Sequence, residues 1–496
     1  MIVRHERSSV AQPNDAPFLR FRPFGGIALA SVYLVVALLP LALALGRQVV
    51  PLDPWERVGA GAGLVALTAM AVQFVTSGRF AIVSGRLGID KIMGFHKIAA
   101  WWVLMGVLFH PVFYVLPTWI DDPARGVLRL QAYLTLPHYR TGVVSLAALA
   151  LLVVSSALRE RLPVSYELWR ASHVVLALAA ASTGLHHAVT VGRFSALGSV
   201  QAWWWAVAGA LILVMATLYG WRWFALHRYP WRLRSVEKRA DRIWELDIQP
   251  AQGVPDLSFE AGQFVWITVG DKRFPLFDHP FSIASAPTQP GISLIIKEAG
   301  DFTGQIGTLT PGIAVGIDGP YGEFSLDNHP ARAVLLVAGG AGIGPIIGLL
   351  RELVVRQDKR PIRLAYAVGQ PDNLACLYEI EAAKEVLDLK VMLLSEQDAQ
   401  GFEGEVGRLD QARLESLLTG LDKAQTVAMM CGPGPMVVAV SDALLDIGLD
   451  MERIIYERFD YASGSASRQD RKRLAQLLAV GAGLVAGLAL FMAISV

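Results

Sequence analysis

Cysteine and charge are both scarce in this chain. Two cysteines, Cys376 and Cys431, in 496 residues are too few for a four-thiolate iron–sulfur cluster or a disulfide framework. Redox chemistry, if present, must therefore use haem, flavin or nicotinamide. Charged residues make up 18% and the formal net charge is +1, so no basic excess points to nucleic acid. The mean hydropathy is +0.43, too apolar for a purely soluble protein, and the length exceeds what a membrane bundle alone needs. About 24 mostly polar residues precede the first apolar run. That run is longer than a signal-peptide core, which predicts a retained span.

Six apolar stretches fill the first half: Ile27–Leu45, Val58–Thr76, Ile92–Leu116, Thr141–Leu158, Leu168–Val191 and Ala202–Ala225. Each is near the ~20 residues that a spanning helix needs. Loop charge alternates. Arg4, Arg7, Arg20 and Arg22 precede the first span, Arg79, Arg86 and Lys91 follow the second, Arg159, Arg161 and Arg170 follow the fourth, and Arg222, Arg228, Arg232 and Arg234 close the sixth. The intervening loops carry fewer. The positive-inside rule then puts the N-terminus, and everything after Arg228, in the cytosol.

Within those spans, His96 and His110 are fourteen residues apart, and so are His173 and His187. At ~100° per residue, that interval ends about 40° short of four full turns, so each pair shares a helix face, roughly 21 Å apart in depth. The third and fifth spans run in the same direction. His96 therefore matches His173 in depth, and His110 matches His187. Ionisable residues inside spans mark functional sites, and imidazole is a common axial haem ligand. The repeated spacing predicts two b-type haems stacked across the membrane. His186 competes with His187 for the outer position.

From about Tyr229 the pattern changes to short β-like runs, such as Phe264–Val269 and Ile292–Ile296, which read as a small β-barrel. Strands and helices then alternate: Ala333–Ala338, Ile346–Arg356, Ile362–Ala367, Leu377–Val386, Lys390–Leu394, Val427–Met430 and Pro435–Leu445. This reads as a parallel α/β sheet. A polar linker, Ala462–Arg473, leads to a further apolar run, Leu474–Ser495, which predicts a seventh span.

Three short motifs carry chemistry. Gly339-Gly340-Ala341-Gly342-Ile343-Gly344-Pro345 joins a strand to a helix, where backbone N–H groups can approach a pyrophosphate. His279-Pro280-Phe281-Ser282 follows a barrel strand and sets a hydroxyl beside an aromatic ring, as a flavin edge and face require. Cys431-Gly432-Pro433 lies at the carboxyl end of a parallel strand, where such sheets bind ligands.

Together, the paired histidine helices, HPFS, GGAGIGP, CGPGPM (Cys431–Met436) and ERF (Glu457–Phe459) resemble the NADPH oxidase and ferric reductase superfamily. In that superfamily a transmembrane haem domain is fused to a ferredoxin–NADP reductase-like module. The resemblance runs from about Gly25 to Phe459. It implies a multi-pass α-helical membrane bundle, a cytosolic FAD-binding β-barrel and a parallel α/β nucleotide-binding domain, to which this chain adds a C-terminal transmembrane helix. The implied divisions are a tail at 1–24, the haem domain at 25–228, the FAD domain at 229–330, the NAD(P) domain at 331–461, a linker at 462–473 and the last span at 474–496. By resemblance, His279, Pro280, Phe281 and Ser282 bind FAD, and Ile295, Ile296, Lys297, Gly300, Phe302 and Thr303 hold its pyrophosphate. Gly339, Gly340, Gly342, Gly344 and Pro345, with Cys431, Gly432 and Pro433, hold the nicotinamide cofactor. Phe459 covers the flavin ring. Ser282, Cys431 and Phe459 are the residues placed with the reaction, and His96, His110, His173 and His187 ligate haem iron.

The expected activity moves electrons from cytosolic NAD(P)H through FAD and two haems b. The acceptor is a small molecule outside an inner, multi-pass cell membrane, either oxygen (giving superoxide) or ferric iron. Two other readings compete. One is an electron-transfer subunit feeding a membrane or periplasmic protein. The other is a membrane-anchored flavin reductase, which would not need the histidine pairs. Two departures stand out. The flavin-covering aromatic is not terminal, because a linker and a span follow. Val368-Gly369-Gln370 stands where NADPH-using relatives carry an arginine, and Arg363 within the strand is a poor substitute.

Overall fold

The computed structural model describes residues 25–45, 53–77, 79–80, 83, 88–458 and 467–494. They form two compact units. The first holds residues 25–225, the segment Lys272–Asp278 and the C-terminal helix, and the second holds residues 226–271 and 279–458.

The first unit is helical: α1 (Gly26–Ala44), α2 (Pro54–Gln73), α3 (Ile89–Asp121), α4 (Pro123–Thr135), α5 (Arg140–Ala157), α6 (Tyr166–Val191), α7 (Gly198–Met215) and α12 (Arg468–Ile494). A π-helical turn, Ala216–Trp221, carries α7 on into Arg222–Arg228. Local chemistry sets the starts. Asp53 accepts from the backbone N–H of Trp55 and Glu56 ahead of Pro54, Asp122 does the same for α4 ahead of Pro123, and Ser165 caps α6. Each satisfies amides that the first helical turn leaves without a partner.

Among the described residues, six helices are long and apolar enough to cross a membrane, α12 included. α2 is not one of the six. It carries Glu56 and Arg57 in its first turn and Gly59, Gly61 and Gly63 along its length. Its surroundings explain this, because it packs against α1, α3, α6, α7 and α12. A helix enclosed by other helices needs small residues for close approach more than it needs lipid-facing apolar ones. α3 is longer than its apolar stretch predicts, at 33 residues. α4, between the third and fourth apolar stretches, is a 13-residue amphipathic helix.

The second unit has two sheets. The first has strand order β4-β3-β6-β1-β2-β5, from β1 (Trp231–Ala240), β2 (Ile243–Pro250), β3 (Phe264–Val269), β4 (His279–Ser282), β5 (Ile292–Lys297) and β6 (Ala314–Tyr321). Its neighbours are antiparallel, and an Ile283–Leu294 bridge brings β4 back to β5. Alternate residues such as Leu246, Ile248, Val265, Ile267, Leu294 and Ile296 fill the interior. The second sheet is parallel, in the order β10-β9-β8-β7-β11-β12. Its central strands β7 (Ala333–Gly339) and β11 (Thr426–Gly432) are buried throughout. Around them lie β8 (Ile362–Val368), β9 (Leu389–Ser395), β10 (Glu405–Val406) and β12 (Ile454–Arg458), with helices α8 (Ile343–Arg356), α9 (Leu377–Ala383), α10 (Gln411–Leu417) and α11 (Gly434–Ile447).

Candidate functional site

α3 and α6 bring the four histidines together as two facing pairs. The ring centroids of His96 and His173 are 6.5 Å apart, and those of His110 and His187 are also 6.5 Å apart. His187, and not His186, is the ring that meets His110. A metal midway between two rings, at about 2 Å from each nitrogen with the ring centre about 1 Å further back, needs centroids roughly 6 Å apart. Both pairs match that spacing. Among the described residues no group of three or more His, Cys, Asp or Glu could hold a metal ion. Two facing imidazoles suit a metal that brings its own equatorial ligands, as haem does.

Hydrogen bonding fixes which ring nitrogen is free. His110 Nδ1 lies 2.7 Å from the Gly59 carbonyl, which can only accept, so Nδ1 carries the proton. His173 Nδ1 lies 3.1 Å from Ser156 Oγ, whose own proton goes to the Leu152 carbonyl. His96 Nδ1 lies 3.4 Å from Thr76 Oγ1, which donates to Gln73. In all three, Nε2 keeps its lone pair, as a metal-binding imidazole with an outer hydrogen bond requires. His187 Nδ1 is buried with no hydrogen-bond partner among the described residues. Glycines make room for the outer rings: a Cβ at Gly63 would stand 2.7 Å from His110 Nδ1, and one at Gly142 would stand 2.9 Å from His187.

Polar clusters close both ends of the pairs, and sequence reading missed both. Beyond His110, Glu56 pairs with Arg129 of α4 and with Arg193, each at 3.1 Å. An edge-to-face series of rings runs from His110 through Tyr114 and Tyr133 to Tyr139. At the His96 end, the buried Asp278 accepts from Arg79 at 2.6 Å and from Arg170 at 2.5 Å, and Arg222 donates to the Arg79 carbonyl. Arg170 sits one turn before His173, and Asp278 directly precedes His279. In the sequence, these arginines show only as loop charge. The Asp-Pro start of α4 was the signal that could have revealed the outer cluster.

In the second unit, the HPFS residues form β4, which pairs with β3 so that Ser282 lies opposite Phe264. His279 stacks on Phe302, with centroids 4.0 Å apart and planes 13° apart, and Phe281 stacks on Phe302 at 6.1 Å. Ile295 and Ile296 bury their side chains in the two adjoining cores, so only their backbone is left to meet a ligand. Thr303 Oγ1 accepts from the N–H groups of Ala299 and Gly300. Lys297 ends β5.

The Gly-rich turn follows β7 and opens α8. A Cβ on Gly342 would fall 2.0 Å from the Cys431 carbonyl, and one on Gly339 would fall 2.5 Å from Met436 Sδ. The two motifs therefore interlock at neighbouring strand ends. Gly340 has φ +52° and nothing within 4 Å of its Cβ position, which leaves its backbone open to a phosphate. Cys431 is fully buried. Burial, with the nearby charge of Glu457, holds its thiol well above the usual range. Arg363 is also buried, donating to the Ile362 carbonyl and to Asp388. Phe459 lies outside the described residues.

A helical unit with facing imidazoles, in one chain with a flavin-barrel and nucleotide-sheet module, defines a membrane flavoprotein reductase. Comparison with known proteins makes the class specific. Residues 62–184 match the ferric reductase like transmembrane component, residues 232–325 match an FAD-binding domain, and residues 336–442 match an oxidoreductase NAD-binding domain. A ferric reductase-like transmembrane domain followed by FAD- and NAD-binding domains resembles the domain order of the NADPH oxidase and ferric reductase superfamily. Among curated relatives, a flavohemoprotein of Bacillus subtilis is 25% identical, covering 52% of this chain and 68% of the relative. A flavohemoprotein of Bordetella pertussis is 30% identical over 46% of this chain and 60% of its own length. The reductase component of a propane 2-monooxygenase from Mycolicibacterium smegmatis is 27% identical over 46% and 66%. The chain thus spans about two thirds of the relatives it matches. Among solved structures, a flavohemoglobin from Malassezia yamatoensis aligns with TM-score 0.45 and 16% identity, over 81% of this chain and 99% of that one. A ferredoxin NADP+ reductase from Neisseria gonorrhoeae aligns at 0.41 and 20%, over 46% and 97%.

Proposed function

We propose that this transmembrane NAD(P)H oxidoreductase delivers electrons from the cytosolic side to a small acceptor outside, oxygen or ferric iron. In this reading the barrel holds FAD and the facing histidine pairs hold two b-type haems. The bound groups supply the redox chemistry: a flavin takes a hydride and can release its electrons singly, and haem iron accepts one at a time.

The residues provide binding, orientation and tuning. His96 with His173, and His110 with His187, would each offer an Nε2 lone pair to one iron. Ser156, Thr76 and the Gly59 carbonyl hold three of the rings in that tautomer. The open backbone at Gly340 and the start of α8 would take the dinucleotide pyrophosphate, and Ser282 would bond the flavin edge. Phe459 would cover the ring. Nothing at Val368–Gln370 or Arg363 favours NADPH over NADH. The positive-inside pattern supports an inner-membrane location with the reductase module in the cytosol.

The equal 6.5 Å separation of both histidine pairs carries this proposal, since a membrane-anchored flavin reductase would have no use for it. Purified protein is expected to show a b-type spectrum and close to two haems per chain by haemochrome assay. Folded, flavin-loaded protein without haem would remove the reading.

A further inference from the structure

α8 begins at the Gly-rich turn and passes directly over the end of β4 and over β5. Gly344, Gly348 and Arg351 are spaced four and three residues apart, and so share one helix face. A Cβ on Gly344 would meet the Ile295 carbonyl at 3.5 Å, and one on Gly348 would meet the Ile283 carbonyl at 2.7 Å. Helix and flavin-side backbone are therefore in direct contact. Arg351 ends this seam. It forms a two-pronged pair with Glu379 of α9 at 2.7 and 2.9 Å. It also donates to Glu245 of β2 at 2.8 Å, and to the Ala284 carbonyl and Ser293 Oγ, both at 2.9 Å. Glu245 takes a further bond from Arg239 at 2.6 Å. One guanidinium thus ties the helix of the nucleotide motif to three barrel elements, one residue past Ile283 and two past Ser282.

We propose that Arg351, which belongs to neither cofactor motif, is a positioning residue for hydride transfer. It sets the angle between the helix that receives the nicotinamide nucleotide and the strand that receives the flavin. This rests on the hydride route proposed above. In that step a C–H bond on the nicotinamide breaks, one proton and two electrons move together, and an N–H bond forms on the flavin. Such a transfer needs reacting atoms held at about 3–3.5 Å, and a misplacement of about 1 Å can cost ~10²-fold. Seven residues of helix place Arg351 roughly 10 Å from Gly344. A tilt of about 5° at Arg351 therefore displaces the turn by roughly 1 Å. Lysine cannot replace this fork, because a single ammonium cannot reach acceptors on all four residues, Glu379, Glu245, Ala284 and Ser293.

The test uses the full-length holoprotein and anaerobic stopped-flow reduction of its flavin by NADH and by 4-deuterated NADH. Arg351→Lys is expected to keep FAD, to bind NADH within about twofold of wild type, and to reduce its flavin 10- to 100-fold more slowly. Its deuterium isotope effect on turnover should rise, a change that lost stability alone would not produce. Chemical reduction of flavin and haem by dithionite should be unaltered. If Arg351→Lys does not accumulate, the triple variant R351M/E245Q/E379Q removes the clamp without leaving unpaired carboxylates, and the same slowing is expected. Unchanged flavin reduction in either folded variant overturns the proposal. So does a rate loss that saturating NADH restores, which would make Arg351 a binding residue. Failure of NADH to reduce the wild-type flavin would instead sink the hydride route itself.

Discussion

His186 and His187 are adjacent in the sequence, yet only His187 faces His110. Helical periodicity made the histidine pairs legible, because a spacing of fourteen along one helix converts directly into a shared face. It could not choose between neighbours about 100° apart when helices bend. Gly63 and Gly142 were not legible at all, since their purpose depends on rings carried by other helices. They yield a residue-scale prediction. Gly63→Ala crowds His110, and the variant should lose most of one haem per chain while keeping its flavin. Unaltered haem content and spectrum would show that the pocket tolerates the methyl group. A second prediction concerns Glu245. Burial pushes its carboxyl up, but hydrogen bonding and charge from Arg351, with the charge of Arg239, pull it below its ordinary value of 4.5. A carboxylate depressed in the folded state stabilises fully above its unfolded pKa and loses that contribution as pH falls through the folded one. Flavin-release temperature should therefore fall below about pH 4.5 more steeply in wild type than in Glu245→Gln, and parallel curves would contradict this.

At the scale of elements, the spans, the barrel strand β3 and the β7–α8 and β11–α11 units follow from hydrophobic period and turn residues. The Arg351 hub does not. Its partners lie 106 and 28 residues away, and no local spacing encodes such a meeting. α4 lies between the third and fourth apolar stretches, where hydropathy gives no helix signal, although Asp122-Pro123 is a helix start. The C-terminal helix was legible as a span, but its packing was not. Gly483 and Gly487 of α12 lie against Leu34 and Leu38 of α1, and Gly481 lies against Trp102. A helix serving only as an anchor needs no such fit. Gly487→Ile is expected to destabilise the helical unit by about 1–3 kcal/mol through overpacking, read as a lowered melting temperature in detergent. An unchanged melt would mean that α12 docks loosely. Truncation after Tyr461 should leave the protein in the membrane through its remaining helices; a changed KM for NAD(P)H is the outcome expected of a tether on the reductase module. Unaltered kinetics would reduce α12 to an added anchor.

At the scale of the whole molecule, one chain carries a flavin- and nucleotide-binding module and two facing imidazole pairs, and the proposed route takes electrons across the bilayer. Sealed vesicles with the reductase module outward test this most directly. NADH is added outside, and a membrane-impermeant ferric chelate is trapped inside. Wild-type protein is predicted to reduce the trapped chelate. His110→Ala should reduce its flavin and remaining haem at near-normal rates, yet lose at least ~90% of reduction inside. Equal reduction of the trapped chelate by wild type and His110→Ala would contradict the proposed route.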